Sequence, residues 1–100
     1  MKLPPHIVAR VKLNEGAVKN HKIVRNKYEC LLEYNAEYFR SELIISEAEA
    51  AQMSDGIETT IMVGVYVYRV LFPMLKNGDW FHLCDGRVRF AKGYVLGINQ

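Results

Sequence analysis

A short glycine-containing break between two extended segments constrains this chain more than any other feature. Asp85-Gly86 separates Trp80-Phe81-His82-Leu83 from Val88-Arg89-Phe90-Ala91. Glycine supplies the positive φ that a tight turn requires, so this pair between aromatic and β-branched runs predicts a β-hairpin, read here over residues 75–97. Asp79 and Asp85 then flank one strand. At about 3.3 Å per strand residue they stand on the order of 20 Å apart, too far for a paired-carboxylate site.

Upstream, the same period recurs. Ile7, Ala9, Val11 and Leu13 alternate with Val8, Arg10 and Lys12, which predicts a strand closed by the turn residues Asn14-Glu15-Gly16. Residues 17–27 are polar and basic, lack both periods, and read as a long loop. Tyr28, Cys30, Leu32 and Tyr34 share one face of a second strand, and Phe39, Ser41, Leu43 and Ile45 one face of a third, with a turn at residues 35–37. Residues 46–53 are the only helix-like stretch, with Ser46 and Glu49 in capping-box spacing; one helical turn or an irregular connection fits equally. Residues 57–72 read as one long β-rich run ended by Pro73, with a bulge or bend at Gly64.

These elements predict an all-β fold. It is a single domain over residues 1–100, in which about six strands form an antiparallel β-barrel behind a disordered tail at residues 1–5. Closure is favoured over an open sandwich because it removes the edges of a sheet rich in valine and tyrosine, and Ile7, Ala9 and Val11 are expected to pair with the final strand. No apolar run approaches the roughly 20 residues of a membrane helix, and residues 1–5 lack the apolar core of a secretory signal. The expected compartment is cytoplasmic, with Cys30 and Cys84 as reduced thiols packed as small apolar side chains.

The hairpin also resembles a known family. Gly78, Phe81, Asp85, Gly86, Gly93 and Val95 fall in register with the closing segment of the elongation factor Tu family. Ala9-Arg10-Val11, Leu13 and Glu15-Gly16 are similar to the opening strand of that family's last domain. Met53-Ser54-Asp55-Gly56 stands where the family has Met-Pro-Gly-Asp. The resemblance implies a stand-alone relative of the family's third domain, an antiparallel β-barrel of this length that contacts aminoacyl-tRNA and the exchange factor. The chain departs from the family on two tRNA-facing elements. Only Tyr28 is kept from a Gly-Tyr-Arg-Pro pattern, and Gly86-Arg87-Val88 replaces Gly-Gly-Arg at the turn. No GxxxxGK[ST] occurs, so no nucleotide is expected to bind.

Charge distribution supplies the candidate site. Net charge is +2, yet residues 1–27 hold seven Lys/Arg against one acid and residues 28–60 hold eight acids against Arg40. Lys19, Lys22, Arg25 and Lys27, beside Tyr28, would attract a phosphate backbone and offer a ring for a base. Arg87, Arg89 and Lys92 extend the patch if the hairpin end lies beside the loop. The acidic block from Glu29 to Glu49 would have to face away. His6, His21 and His82 lack ligand spacing, and Ser41, Ser46 and Ser54 lack nucleophile context, so no metal, cofactor or catalysis is expected. The reading is a non-catalytic binding module for RNA or a translation-factor protein. Its alternative is a protein-interaction or structural module, with Tyr66, Tyr68 and Tyr94 as a candidate aromatic patch.

Overall fold

The computed structural model describes residues 4–17, 28–46, 48–49 and 53–99. Six strands account for most of them: β1 (Ile7–Leu13), β2 (Tyr28–Tyr34), β3 (Glu37–Ile44), β4 (Glu58–Val65), β5 (Trp80–Asp85) and β6 (Val88–Ile98), with a one-turn helix α1 (Tyr68–Leu71) between β4 and β5. All neighbours are antiparallel, and the sheet closes on itself in the order β1-β4-β3-β2-β5-β6. β1 lies between β4 and β6, with Ala9 opposite Ile61 on one side and Val95 on the other. The closing strand pair is therefore the one its alternation predicts.

Period two decides which side chains meet inside. Ile7, Ala9, Val11 and Leu13 of β1, Leu32 of β2, Phe39 and Leu43 of β3, and Ile61, Val63 and Val65 of β4 are buried together. β6 departs from simple alternation at two points. The register skips Phe90 between Leu83 and Cys84, and skips Leu96 between Val8 and Ala9. Each extra residue is a bulge, which coils the strand that closes the barrel. The first bulge buries Phe90 and Ala91 in succession.

Closure also depends on a missing side chain. A Cβ on Gly93 would stand 2.9 Å from the Arg10 carbonyl oxygen, 2.9 Å from Phe81 Cζ and 3.0 Å from Val11 Cγ2. Phe81 sits opposite Gly93 across β5 and β6, so its ring fills the space that glycine leaves inside the barrel.

Several local expectations are met in detail. Ser46 and Glu49 form a reciprocal capping box, with Ser46 N–H donating to Glu49 Oε1 (2.9 Å) and Glu49 N–H to Ser46 Oγ (3.1 Å), and Glu49 is helical. The β2–β3 turn is Asn35-Ala36, both with positive φ (54° and 64°), as a two-residue turn that matches strand twist requires. Cys30 and Cys84 are free, buried thiols.

The run over residues 57–72 needs correction. Ile57 is exposed, β4 stops at Val65, and the chain then winds into α1. The last turn of the ladder is taken by a side chain, because Val65 N–H donates to His6 Nδ1 (2.9 Å). The His6 ring stacks on Tyr68 at 4.0 Å, and burial pushes the His6 pKa down. Leu71 and Leu75 then enter the core. Tyr and Val favour strands on average, but a barrel end needs a plug, and burial of these leucines outweighs propensity. Gly64 makes no bulge, since the β3–β4 register runs through it unshifted. Pro5 is tied to the barrel, its carbonyl accepting from Asn99 Nδ2 (2.7 Å). No helix among the described residues is long and apolar enough to cross a membrane.

Two substitutions test this packing in opposite directions. Gly93→Ala should destabilise by about 1–3 kcal/mol through overpacking. Ala36→Gly should stabilise by about 0.5–1 kcal/mol by relieving a left-handed alanine. Urea unfolding of both variants checks the signs.

Candidate nucleic-acid interface

The strand order turns outward residues from distant parts of the sequence into rows. One row reads Thr60, Arg10, Tyr94 and Trp80 across β4, β1, β6 and β5. The next reads Glu58, Lys12, Lys92 and His82 across the same strands. Directly opposed residues in antiparallel strands lie about 4.5–5.5 Å apart at Cβ. Arg10, Lys12 and Lys92 therefore form a compact cationic cluster beside two aromatic rings, with one acid among them.

A groove of about 750 Å³ runs over this face, lined by Arg10, Lys12 and Lys92, with Ile57 and Glu58 towards one side and Trp80 towards the other. Arg10 Nη1 donates to Thr60 Oγ1 (3.2 Å), and Arg10 Nη2 lies 3.8 Å from Glu58 Oε2. This pair is half-exposed and binds Arg10 only loosely. Trp80 is 56% exposed. Its ring leans on Tyr94 at 4.9 Å, and Lys92 Nζ stands 4.7 Å from its centroid. Lys12 faces Lys92 directly, an arrangement that destabilises a sheet unless an anion relieves it. His82 adds no charge at neutral pH, because burial, and then the Arg89 charge, lower its pKa.

Most acids of the strands lie on the other side of the cylinder, while Glu58 stands among the cations on β4. Glu29, Glu33, Glu37 and Glu42 belong to β2 and β3, which the strand order places opposite β1 and β6. Glu29 accepts from the Tyr66 hydroxyl (2.8 Å), and Arg40 lies 3.9 Å from it and stacks on the Tyr66 ring. Glu42 is buried, its Oε2 without a hydrogen-bond partner among the described residues.

Of the residues singled out from the sequence, Lys19, Lys22, Arg25 and Lys27 lie outside the described residues. Both flanks of that segment reach the hairpin end of the barrel. Asn14 N–H donates to the Phe90 carbonyl (2.8 Å) and Asn14 Nδ2 to the Arg89 carbonyl (3.1 Å). On the other flank, the Tyr28 hydroxyl donates to Asp85 Oδ2 (3.2 Å). Tyr28 is half-buried, its ring perpendicular to that of Phe90. Arg87 is exposed at the turn. Arg89 is engaged by Glu33 through Nε–Oε1 (2.8 Å) and Nη2–Oε2 (2.9 Å), which lowers the Glu33 pKa. The tyrosines do not form one patch: Tyr66 joins Glu29, Tyr68 joins His6, and Tyr94 joins Trp80.

Sequence reasoning missed Arg10, Lys12 and Trp80 as a cluster. The signal was present as outward parity on three strands, but it becomes a site only once β1, β6 and β5 are known to be adjacent. Among the described residues no three His, Cys, Asp or Glu side chains group as a metal site would require. No protein-family model matches the chain, and no curated protein is significantly similar to it.

The Tyr28 contact makes a titration prediction. Burial, and next the Asp85 carboxylate, push the Tyr28 pKa up from 10.0 to about 12. Because the folded value lies above the unfolded one, the stability this contact adds is complete below pH 10.0 and is lost as pH rises towards 12. Tyr34 is likewise pushed up to about 12 by its hydrogen bond to Asp79, so ultraviolet titration should show late-ionising phenols whose amplitude Tyr28→Phe reduces without abolishing it.

Proposed function

We propose that this chain is a non-catalytic RNA-binding module, a relative of the last barrel of the elongation factor Tu family. Its interface is the outer face of β4, β1, β6 and β5. The observation that carries the reading is Lys12 set directly opposite Lys92, with Arg10 and the exposed Trp80 beside them. Fixed cations spaced across a sheet neutralise successive phosphates and release their counterions, and this supplies most sequence-independent affinity. Glu29, Glu33 and Glu37 face away from this surface, and Glu58 is the one acid among the residues lining the groove. The resemblance of Gly78, Phe81, Asp85, Gly86, Gly93 and Val95 to the closing hairpin of the family favours a partner from translation.

Lys19, Lys22, Arg25 and Lys27, which lie outside the described residues, are further candidates for phosphate contact in this reading. A protein-interaction module is the second reading. It is favoured by the exposed apolar residues Val67 and Val70 at the α1 end.

Anisotropy of a labelled RNA hairpin with a single-stranded loop, titrated at about 50 and 200 mM salt, tests the proposal. Three engaged phosphates predict about a tenfold or greater loss of affinity over that range. Lys92→Gln should weaken binding and reduce the salt slope by about 1, while stability changes by no more than about 0.5 kcal/mol. Arg40→Gln, on the opposite sector, should leave binding unchanged. Absence of binding at low salt, or equal affinity in Lys92→Gln, contradicts the reading.

A further inference from the structure

We propose that the groove takes single-stranded rather than duplex RNA, with one base stacked on Trp80. This rests on the RNA-binding reading above and adds the form of the ligand.

The geometry separates the two forms. Trp80 opens β5 with more than half its surface exposed, and its ring is held from the side by Tyr94. Such a ring is a fixed platform, since tilted aromatic packing restricts its rotamers before any ligand arrives. The ring is presently approached by the Lys92 ammonium, 4.7 Å from its centroid. A base can take that place because a cation–π contact at an exposed site is weak. Lys92 then swings to the phosphate joined to the stacked nucleotide, beside Lys12. The exchange gives Lys92 a stronger partner and removes its repulsion from Lys12 at the same time.

Duplex RNA cannot make this exchange. Its bases are stacked on one another, and its wide groove presents hydroxyls and base edges rather than ring faces. Stacking on an aromatic side chain requires an unpaired base, and it tolerates any base because each has a π-face. The groove should therefore show little sequence preference.

The chain contains one tryptophan, so its fluorescence reports this position alone. The probe is single-stranded poly-uridine of about 12 nucleotides, within the site sizes of single-strand-binding barrels, against the same strand annealed to its poly-adenosine complement. The single strand should quench Trp80 fluorescence and bind at least several-fold more tightly than the duplex. Trp80→Ala should lose about tenfold or more in single-strand affinity by anisotropy, and Trp80→Phe should recover most of it. Because Trp80 is exposed, circular dichroism of both variants should match the parent.

If the duplex binds as tightly as the single strand and Trp80→Ala changes neither, the stacking inference is wrong and the RNA reading stands. If neither RNA binds at low salt, the RNA reading falls with it.

Discussion

Everything outward-facing on this molecule is positioned by the closure of β1 between β4 and β6, and that closure requires a backbone approach only glycine permits. At Gly93 the Arg10 carbonyl, Val11 and Phe81 converge on the volume a side chain would occupy. The same contact sets the exterior. Arg10 lies opposite Tyr94, and Lys12 opposite Lys92, because β1 and β6 pair in this register and no other. A one-residue slip would exchange the inner and outer faces of β1, burying two cations and exposing four apolar side chains. Burial of Ile7, Ala9, Val11 and Leu13 thus fixes where the cations stand.

Two bulges let a single strand do the closing. β6 contacts both β1 and β5 and carries an extra residue at Phe90 and another at Leu96. The Phe90 bulge lets that ring and Ala91 both enter the core while Arg89 stays outside, where Glu33 engages it. At the opposite end, α1, Leu71 and Leu75 plug the barrel, and Tyr34 secures the following turn. Its hydroxyl hydrogen is shared between Asp79 Oδ2 (2.6 Å) and the Met74 carbonyl (3.0 Å). The result is a closed cylinder on which Arg10, Lys12, Lys92 and Trp80 share the β1 side with Glu58, while Glu29, Glu33 and Glu37 occupy the β2–β3 side.

Alternation and turn chemistry made most of the fold legible. The Ile7–Leu13 parity and the Ser46–Glu49 spacing each express a local rule that tertiary packing did not override. Gly86 does take the turn, though one position later than read: Asp85 pairs with Val88 and the two-residue turn is Gly86-Arg87. Residues 66–72 were misleading because Leu71 alone of them is buried, as a helical plug, while Tyr66, Val67 and Val70 stay exposed, and because His6, distant in sequence, took a hydrogen bond a continuing strand would have used. The bulges at Phe90 and Leu96 were invisible because they arise from the geometry of closure rather than from a local motif. The candidate interface was only partly legible. Contiguous basic residues in 19–27 draw attention in a linear reading, whereas Arg10, Lys12, Trp80 and Lys92 become neighbours only through strand order. Tyr28 and Arg89 drew attention as ring and cation, but their acidic partners, Asp85 and Glu33, are contributed by other strands and appear only in the folded structure.

Amide and indole chemical shifts, followed while single-stranded poly-uridine is titrated into isotope-labelled protein, test the central claim most directly. The account predicts that the largest changes fall on Arg10, Lys12, Lys92 and the Trp80 indole N–H. Glu29, Arg40 and Tyr66 on the far side of the cylinder should stay still. Changes centred on the β2–β3 sector or on Val67 and Val70, with the Trp80 indole unmoved, would contradict it.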